Sequence, residues 1–476
     1  MVFNSLVFLL FFLVVYLLYI VTPHKWQNKL LLIAGYVFYS FWDWRFLSLI
    51  LASTLFNYYF GLKIEEAGSQ PRKKAFFILS MVFNIGMLGF FKYFNFFVDN
   101  LRVFLEFFGW YIDGVTLNII LPLGISFYTF QAMSYSIDIY GGVIKPTRNF
   151  LNFALFISFF PIIEAGPIER ARNLIPQIEN KRKITLDAFY QGSWLIFWGL
   201  YKKILIADNL AKISNAIFSK SAECPGSLLL LAMYAFAFRV YADFSGYSDM
   251  ARGLARLMGF NIMVNFRAPF FSRNIADLWQ RWHISLTTWI KEYLYYPLAL
   301  AHFFGRQLNA ALVIVVTWAI MGFWHGAAWR FVLWGVYHGL IIIIYSKIRP
   351  YLRLIKPKNK VLSISVIIAQ VLLVFNLFCV GLLFFAVNST AGVIAILRSI
   401  LFSFAPSSLM NLDYIVWAFI LIVPLLLIEY FQDRRNDEMV VLKWPILARA
   451  VVYYILLYSI ILYGDFGAQK YFYFQF

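Results

Sequence analysis

Apolar segments of membrane-spanning length recur along almost the whole chain, and this pattern restricts the fold more than any other feature. A helix needs about 20 apolar residues to cross the hydrocarbon core of a bilayer. Of the 476 residues, 62% are hydrophobic and 13% are charged, whereas a soluble domain carries roughly 25% charged residues. The sequence therefore predicts an all-α, polytopic membrane protein with about 10 to 12 transmembrane helices.

The middle of the chain differs from its ends, so we divide one membrane domain, residues 1–476, into three parts. Residues 1–115 and 351–476 are mainly simple apolar segments, whereas residues 116–350 are rich in glycine, proline, aromatic and charged residues. Irregular backbone at membrane depth is tolerated only where protein covers it or a watery cavity lines it. We therefore expect a core of broken, re-entrant or interfacial helices around a cavity in the middle part.

The basic residues set the expected orientation of the helices. Lysine and arginine give the chain a formal net charge of +18, which is typical of a multi-pass protein with basic cytoplasmic loops. Residues 24–29 and 73–74 carry such clusters, so we place both on the cytoplasmic side and the N-terminus outside. Nucleic acid is not an expected partner, because the basic clusters lie between membrane segments.

The stretch GFWHGAAWRFVLWGVYHGL, residues 322–340, places charge-bearing side chains inside an apolar run. One helix over residues 308–346 would be about 58 Å long, against a hydrocarbon core of about 30 Å. The run must therefore contain two elements, and we expect the break at residues 325–328. Ionisable residues at membrane depth face the protein interior and are candidate functional groups. His325 is therefore a functional candidate at a helix junction, whereas His338 suits a supporting role.

A second histidine lies in RNIADLWQRWHISLTTWIKEYL, residues 273–294. A stripe at helical spacing indicates one amphipathic helix; it consists of Trp279, Trp282, Leu286 and Trp289. Asp277 and Arg281 form an i,i+4 pair in the favoured order. His283 lies off the stripe, and the pattern is consistent with either a solvated histidine or one that faces the cavity.

The segment YADFSGYSDMARG adds a candidate carboxylate. Asp243 can orient a histidine, although an ion pair with Arg239, Arg252 or Arg256 is the simpler interpretation. The spacing of the three histidines gives no compact metal motif, so we predict no metal. P-loop, dinucleotide-binding, HExxH and GxSxG motifs are also absent from the sequence. What remains is acid–base chemistry by a buried histidine, which can accept and return a proton.

Four segments together resemble the membrane-bound O-acyltransferases, and within them the bacterial alginate O-acetyltransferase (AlgI-like) branch. They are GFWHGAAWRFVLWGVYHGL, RWHISLTTWIKEYLYYPL, YADFSGYSDMARGLARLMGF and FFPIIEAGPIER. Teichoic-acid D-alanyl transfer proteins form a neighbouring branch. The resemblance implies a multi-helix fold with a tunnel through the bilayer. It assigns the family's essential histidine to His325 and the second functional position to His283.

The resemblance also implies a substrate scheme. An acyl group, acetyl in this branch, moves from a cytoplasmic thioester to a hydroxyl of an extracytoplasmic polysaccharide or to a periplasmic or extracellular partner acyltransferase. The donor is acyl-coenzyme A or an acyl-carrier thioester, with no tightly bound cofactor, and the location is the bacterial inner membrane. As a hypothesis, His325 is the general base, His283 steadies the oxyanion, and Trp282, Trp324 and Trp329 line the tunnel.

Two alternatives differ in chemistry. The chain can be a D-alanyl or other acyl transferase that depends on a carrier-protein donor. It can also be a polysaccharide transporter or scaffold in which the histidines are polar gates. We find no internal repeat in the sequence, and many transporters are built from inverted repeats. The transferase interpretation is therefore preferred.

Overall fold

Helices make up most of the structure, a computed structural model that describes residues 1–111, 117, 119–164, 166–303, 306–352, 359–405 and 412–467. The first eleven are α1 (Leu6–Val21), α2 (His24–Ser40), α3 (Leu47–Glu66), α4 (Gln70–Leu88), α5 (Phe94–Phe107), α6 (Ile125–Tyr140), α7 (Phe150–Ser158), α8 (Phe160–Ile163), α9 (Ala171–Glu179), α10 (Leu186–Leu200) and α11 (Asp208–Phe218).

The second half continues the pattern. Its helices are α12 (Gly226–Leu257), α13 (Ile275–Arg281), α14 (Ile284–Ile290), α15 (Tyr296–Leu300), α16 (Ala310–His325), α17 (Trp329–Leu352), α18 (Lys360–Ala386), α19 (Thr390–Phe402), α20 (Leu412–Arg435) and α21 (Ile446–Tyr463). Two short strands, β1 (His302–Phe303) and β2 (Arg306–Gln307), pair antiparallel. The predicted all-α fold is confirmed.

Seven helical segments of the described chain are long and apolar enough to cross a membrane. They are Trp44–Glu66, Gln70–Phe107, Gly226–Leu257, Trp329–Leu352, Lys360–Ala386, Leu412–Arg435 and Ile446–Tyr463. Three shorter apolar helices, α1, α16 and α19, accompany them. The protein is therefore a multi-pass membrane protein. The predicted range of 10 to 12 spans requires the shorter helices to cross as well.

Three π-helical turns connect consecutive helices in the described chain. They are Gly89–Tyr93 between α4 and α5, Tyr201–Ala207 between α10 and α11, and Lys291–Tyr295 between α14 and α15. A π turn adds a residue to the helical path and changes the direction in which its side chains point. Each of these turns contains lysine, so each gives a charged side chain an orientation that a regular α-helix would not.

The long helix α12 joins the two halves of the interior. Its N-terminal half shares a buried cluster with α13, α14 and α16 to α21, and its C-terminal half shares one with α1 to α4 and α6 to α9. Glycines allow α10 to lie against it: a Cβ on Gly199 would be 2.5 Å from the Gly246 carbonyl oxygen, and one on Gly253 would be 2.6 Å from that of Gly192. Small residues permit this close helix contact in membranes.

The same device joins α16 to α17. A Cβ on Gly322 would lie 2.1 Å from the Phe331 carbonyl oxygen, and one on Gly335 would lie 2.0 Å from that of Trp318. The two helices therefore form a tight hairpin with residues 325–329 at its tip. The predicted boundary at 115/116 lies outside the described residues, and the three-part division of the chain stays a prediction.

Candidate active site

His325 is the last residue of α16, at the tip of the hairpin. Gly326 follows in an extended conformation with φ −168° and ψ 152°, and α17 begins at Trp329. The predicted break at residues 325–328 is therefore confirmed. Only glycine fits here, because a Cβ on residue 326 would lie 2.2 Å from the Phe331 ring.

Aromatic rings enclose the imidazole of His325, which is 5% exposed. Its ring centroid lies 5.0 Å from that of Trp324, 4.9 Å from Trp334 and 5.3 Å from Phe385, all in edge-to-face arrangements. The prediction of a buried histidine at a helix junction agrees with this placement. Such surroundings keep bulk water away from the imidazole.

His283 also lies at a helix break, which the sequence pattern did not reveal. The single amphipathic helix predicted over this region is wrong: α13 ends at Arg281, and α14 begins at Ile284. His283 has φ 43° and ψ 53°, the left-handed region that L-residues rarely adopt. The predicted i,i+4 ion pair between Arg281 and Asp277 is present at 2.8 Å.

A segment before α13 supports this break. The carbonyl oxygen of Asn265 accepts from the Ile284 amide at 2.9 Å, and its side-chain oxygen accepts from the Ser285 hydroxyl at 2.9 Å. The Asn265 amide group donates to Ser248 of α12 at 3.0 Å. Asn265 thus ties the start of α14 to the central helix, and the sequence analysis did not identify it.

Trp324 lies between the two histidines. Its ring centroid is 6.2 Å from that of His283 and 5.0 Å from that of His325. On its other side Trp324 stacks on Phe130 of α6 at 5.4 Å. The fold therefore brings residues 283 and 325 to one buried site, although they are on different helices.

His338 occupies the next layer of the same aromatic cluster. It is fully buried in α17, and its ring is 4.9 Å from Trp334, which also contacts His325. Trp279 lies 4.9 Å away on another side. His338 is thus separated from His325 by an indole ring, a placement that suits the supporting role we expected for it.

Two expected site residues lie elsewhere. Asp243 forms an ion pair with Lys203 at 2.7 Å, and Lys203 also binds Asp208 at 2.8 Å. This ion pair joins α12 to the π turn after α10. Its basic member is Lys203, not one of the three arginines considered from the sequence. Trp329 is 60% exposed and donates to Asn100 of α5 at 2.8 Å. Its indole therefore does not line the buried site.

Lys92 and Tyr93, in the π turn before α5, contact the end of α16. The sequence analysis did not single them out. The Lys92 ammonium donates to the carbonyl oxygens of Trp324 at 2.6 Å and His325 at 3.2 Å. The Tyr93 hydroxyl donates to the Phe323 carbonyl oxygen at 3.2 Å. Lys92 was recognisable in the sequence as the only charged residue between Lys74 and Asp99.

A cavity of about 520 Å³ lies on the His283 side of the site. Phe266 and Tyr241 form part of its wall. The Phe266 ring contacts Trp282 at 5.1 Å and His283 at 6.5 Å, so the wall separates the cavity from His283 by one aromatic ring. Trp282, expected to line the tunnel, lies directly behind this wall.

Charged side chains make up much of the cavity lining. The basic ones are Lys202, Arg252, Arg267 and Arg281, and the acidic ones are Asp249, Asp277, Glu429, Asp433, Asp437 and Glu438. Lys202 pairs with Asp249 at 2.6 Å and Arg252 with Glu438 at 2.6 Å. Among the residues that the structure describes, Arg267 forms no ion pair and is exposed.

One carboxylate at the cavity rim lies outside the membrane segments. Burial raises the pKa of Asp437, but the ion pair with Lys443 at 2.6 Å and the hydrogen bond from the Met439 amide together outweigh this, and the pKa lies below its ordinary value. The rim therefore keeps its negative charge at neutral pH. Within the described part of the chain, no group of three histidine, cysteine or acidic side chains is placed to hold a metal ion.

The fold defines a multi-pass membrane protein, and buried ionisable side chains near a cavity are typical of a membrane-embedded enzyme. Comparison with known sequences identifies the class further. The sequence model of the membrane-bound O-acyltransferase family matches residues 38–387. The chain belongs to this family and is an O-acyltransferase, as its motifs predicted.

Individual relatives have printed names that describe related activities. The chain is 43% identical over 351 residues to "Probable alginate O-acetylase AlgI" of Azotobacter vinelandii, which covers 73% of this chain and 69% of the relative. It is 34% identical over 380 residues to "Peptidoglycan O-acetyltransferase" of Helicobacter pylori, with 72% and 70% covered. With "Teichoic acid D-alanyltransferase" of Bacillus subtilis it shares 29% identity over 280 residues, with 56% and 69% covered.

Proposed function

We propose that the protein transfers an acetyl group from a thioester, presented on the cytoplasmic side of the bacterial inner membrane, to a hydroxyl on the opposite side. The placement of His325 carries this proposal. Its imidazole lies at a helix break, enclosed by aromatic rings, with His283 on the far side of Trp324. The relatives named for O-acetylation of alginate and of peptidoglycan support acetyl as the group transferred.

The chemistry follows from a neutral imidazole in dry surroundings. His325 takes the proton of the acceptor hydroxyl, and the hydroxyl oxygen attacks the thioester carbonyl carbon. The tetrahedral intermediate collapses, the carbon–sulfur bond breaks, and His325 returns the proton to the thiolate. A general base of this kind contributes about 10²–10⁴ to the rate. His283 steadies the negative oxygen of the intermediate or orients the acyl chain.

The donor enters through the charged cavity. Residues 24–29, placed on the cytoplasmic side, contact Arg182 through Gln27 at 3.1 Å. The C-terminal end of α12 lies at the same level, because Tyr19 donates to the Met258 carbonyl oxygen at 2.7 Å. The cavity is lined by Asp249 and Arg252, in the half of α12 nearer this end, and we therefore assign it to the cytoplasmic side. Arg267 is the side chain best placed to bind a donor phosphate, since its charge is not neutralised by an ion pair.

The acceptor approaches from the other side of the membrane. We propose a hydroxyl of an extracytoplasmic polysaccharide, reached directly or through a partner acyltransferase. Printed names of the relatives include alginate, peptidoglycan and teichoic acid. These names support a cell-surface polymer as the class of acceptor.

The decisive experiment measures transfer from radiolabelled acetyl-coenzyme A in membranes that express the wild type, His325→Ala or His302→Ala. Thiol release and label in the polymer fraction are followed, with expression matched by blot. We expect His325→Ala to lose about 10²–10⁴-fold in rate. The exposed His302, outside the site, serves as the matched histidine control and should keep wild-type activity.

Full transfer by His325→Ala would rule out this mechanism. If acetyl-coenzyme A is inactive while an acylated carrier protein supports transfer, the donor is carrier-bound and the D-alanyl or related alternative gains support. Solute flux without thioester consumption would instead identify a transporter.

A further inference from the structure

The joint between α4 and α5 places one cation inside the membrane domain. Residues 75–98 contain a single charged residue, Lys92. It lies in the π turn Gly89–Tyr93, at the centre of the continuous helical segment Gln70–Phe107. A charge within a membrane-spanning segment is costly and usually has a function. The π turn gives the adjacent side chains of Lys92 and Tyr93 the direction needed to reach the same target.

That target is the C-terminal end of α16. The last four carbonyl groups of a helix lack partners within the helix, and they carry the negative end of the helix dipole. Lys92 donates to the carbonyl oxygens of Trp324 and His325, at 2.6 and 3.2 Å, and Tyr93 donates to that of Phe323 at 3.2 Å. A cation and a hydroxyl from a distant part of the chain thus cap the helix that carries His325.

Ring contacts hold the same pair in place. Tyr93 stacks on Phe323 with centroids 4.3 Å apart, and the Lys92 ammonium lies 5.6 Å from the centroid of the Trp324 ring. Lysines near membrane interfaces commonly extend their ammonium toward water. Lys92 instead directs its ammonium to two protein carbonyls, and no carboxylate pairs with it among the described residues. A purely solubilising role does not explain this geometry.

We infer that Lys92 is a positioning residue for acyl transfer: its ammonium, together with the Tyr93 hydroxyl, fixes the end of α16 and so the direction of the His325 imidazole. The inference rests on the proposed function, in which His325 is the general base. Gly326 gives the chain after His325 an extended path, so no continuing helix fixes the backbone at this point. Aromatic rings contact the imidazole itself, and the cap from the π turn holds the backbone that carries it.

The test compares four variants with the wild type in turnover assays at varied donor concentration. Lys92→Met removes the charge and donors but keeps the apolar stem, and we expect kcat to fall about 10- to 100-fold with KM for the donor little changed. Lys92→Arg keeps a cation and should recover most of kcat. Tyr93→Phe keeps the stacked ring, so its loss should be smaller. Asn100→Ala breaks a neighbouring contact, to Trp329, and should keep wild-type kcat.

A second readout does not depend on activity. Hydrogen exchange of amides in residues 318–325, the end of α16, should accelerate in Lys92→Met because the cap is lost, and should not change in Asn100→Ala, whose contact is to α17. Wild-type kcat in Lys92→Met, or unchanged exchange in that segment, overturns the inference. The inference is also overturned if Lys92→Arg and Lys92→Met lose the same activity and this loss only matches the loss of folded protein. If Lys92→Met does not fold, the inference is tested by kcat and by hydrogen exchange in Lys92→Arg and Tyr93→Phe. A wild type that is inactive with both acetyl-coenzyme A and an acylated carrier protein would refute the proposed function, while exchange still tests the cap.

Discussion

The two histidines of the candidate site both lie at helix breaks, but different forces make the two breaks. At His325 the break is local: the helix ends at Gly326, whose missing side chain lets the chain turn against Phe331. At His283 the break is imposed from outside, since the backbone is left-handed and Asn265 holds the first turn of α14. A local break is visible in the sequence, and an imposed one is not.

The strongest test of the local break is Gly326→Ala. A Cβ at this position would lie 2.2 Å from the Phe331 ring, so the ring or the backbone must move and displace His325. A misplacement of about 1 Å costs about 10²-fold in rate, and we expect a loss of this size in kcat. The measurement is turnover in membranes at matched expression.

Gly86→Ala is the matched control, because no atom lies within 4 Å of the Cβ it adds. It should keep wild-type turnover. If Gly326→Ala is as active as Gly86→Ala, the local break does not depend on glycine, and the contrast between the two junctions fails.

This contrast explains which parts of the site could be predicted. The length of the run around His325 exceeded the bilayer thickness, so arithmetic alone required a break, and glycine with two alanines marked its position. The run around His283 had a continuous apolar stripe and no glycine or proline between Trp279 and Trp289. A pattern within one segment cannot show that Asn265, from another segment, interrupts it.

Long-range contacts also explain the other differences. Asp243 pairs with Lys203 because a π turn after α10 brings that lysine against α12. Trp329 follows the site in sequence, yet its indole points toward α5. Lys92 was visible as an isolated charge, but only the fold shows that it reaches α16. Helices were predictable from composition, whereas the direction of each polar side chain depended on its neighbours.

The imposed break can be weakened at its support with Asn265→Ala. This removes the acceptor for the Ser285 hydroxyl and amide and leaves buried polar groups without partners, which costs about 1–3 kcal/mol. We expect lower thermal stability in detergent and a loss of about 10-fold in kcat, since His283 is displaced without being removed.

Asn261→Ala provides the comparison within the same segment. Asn261 is exposed, and it binds the Gln177 side chain only through its own backbone N–H and carbonyl groups, which alanine retains. It should therefore keep both the stability and the turnover of the wild type. If Asn265→Ala and Asn261→Ala have the same stability and turnover, the first turn of α14 does not need Asn265, and the break at His283 is local like the one at His325.

The smallest expected effect concerns the strain at His283 itself. His283→Ala and His283→Gly both remove the imidazole, so they should share the same loss of turnover. They should differ in stability, because a left-handed residue with a Cβ costs about 1–2 kcal/mol and glycine avoids this cost. After allowing for the greater freedom of glycine in the unfolded chain, we expect His283→Gly to be more stable by about 1 kcal/mol, measured by thermal unfolding.

At Ser285, inside α14, the order should reverse, since alanine is favoured over glycine in a helix by about 1 kcal/mol. If glycine is no better than alanine at residue 283, the backbone there is not strained, and tertiary contacts do not impose the break.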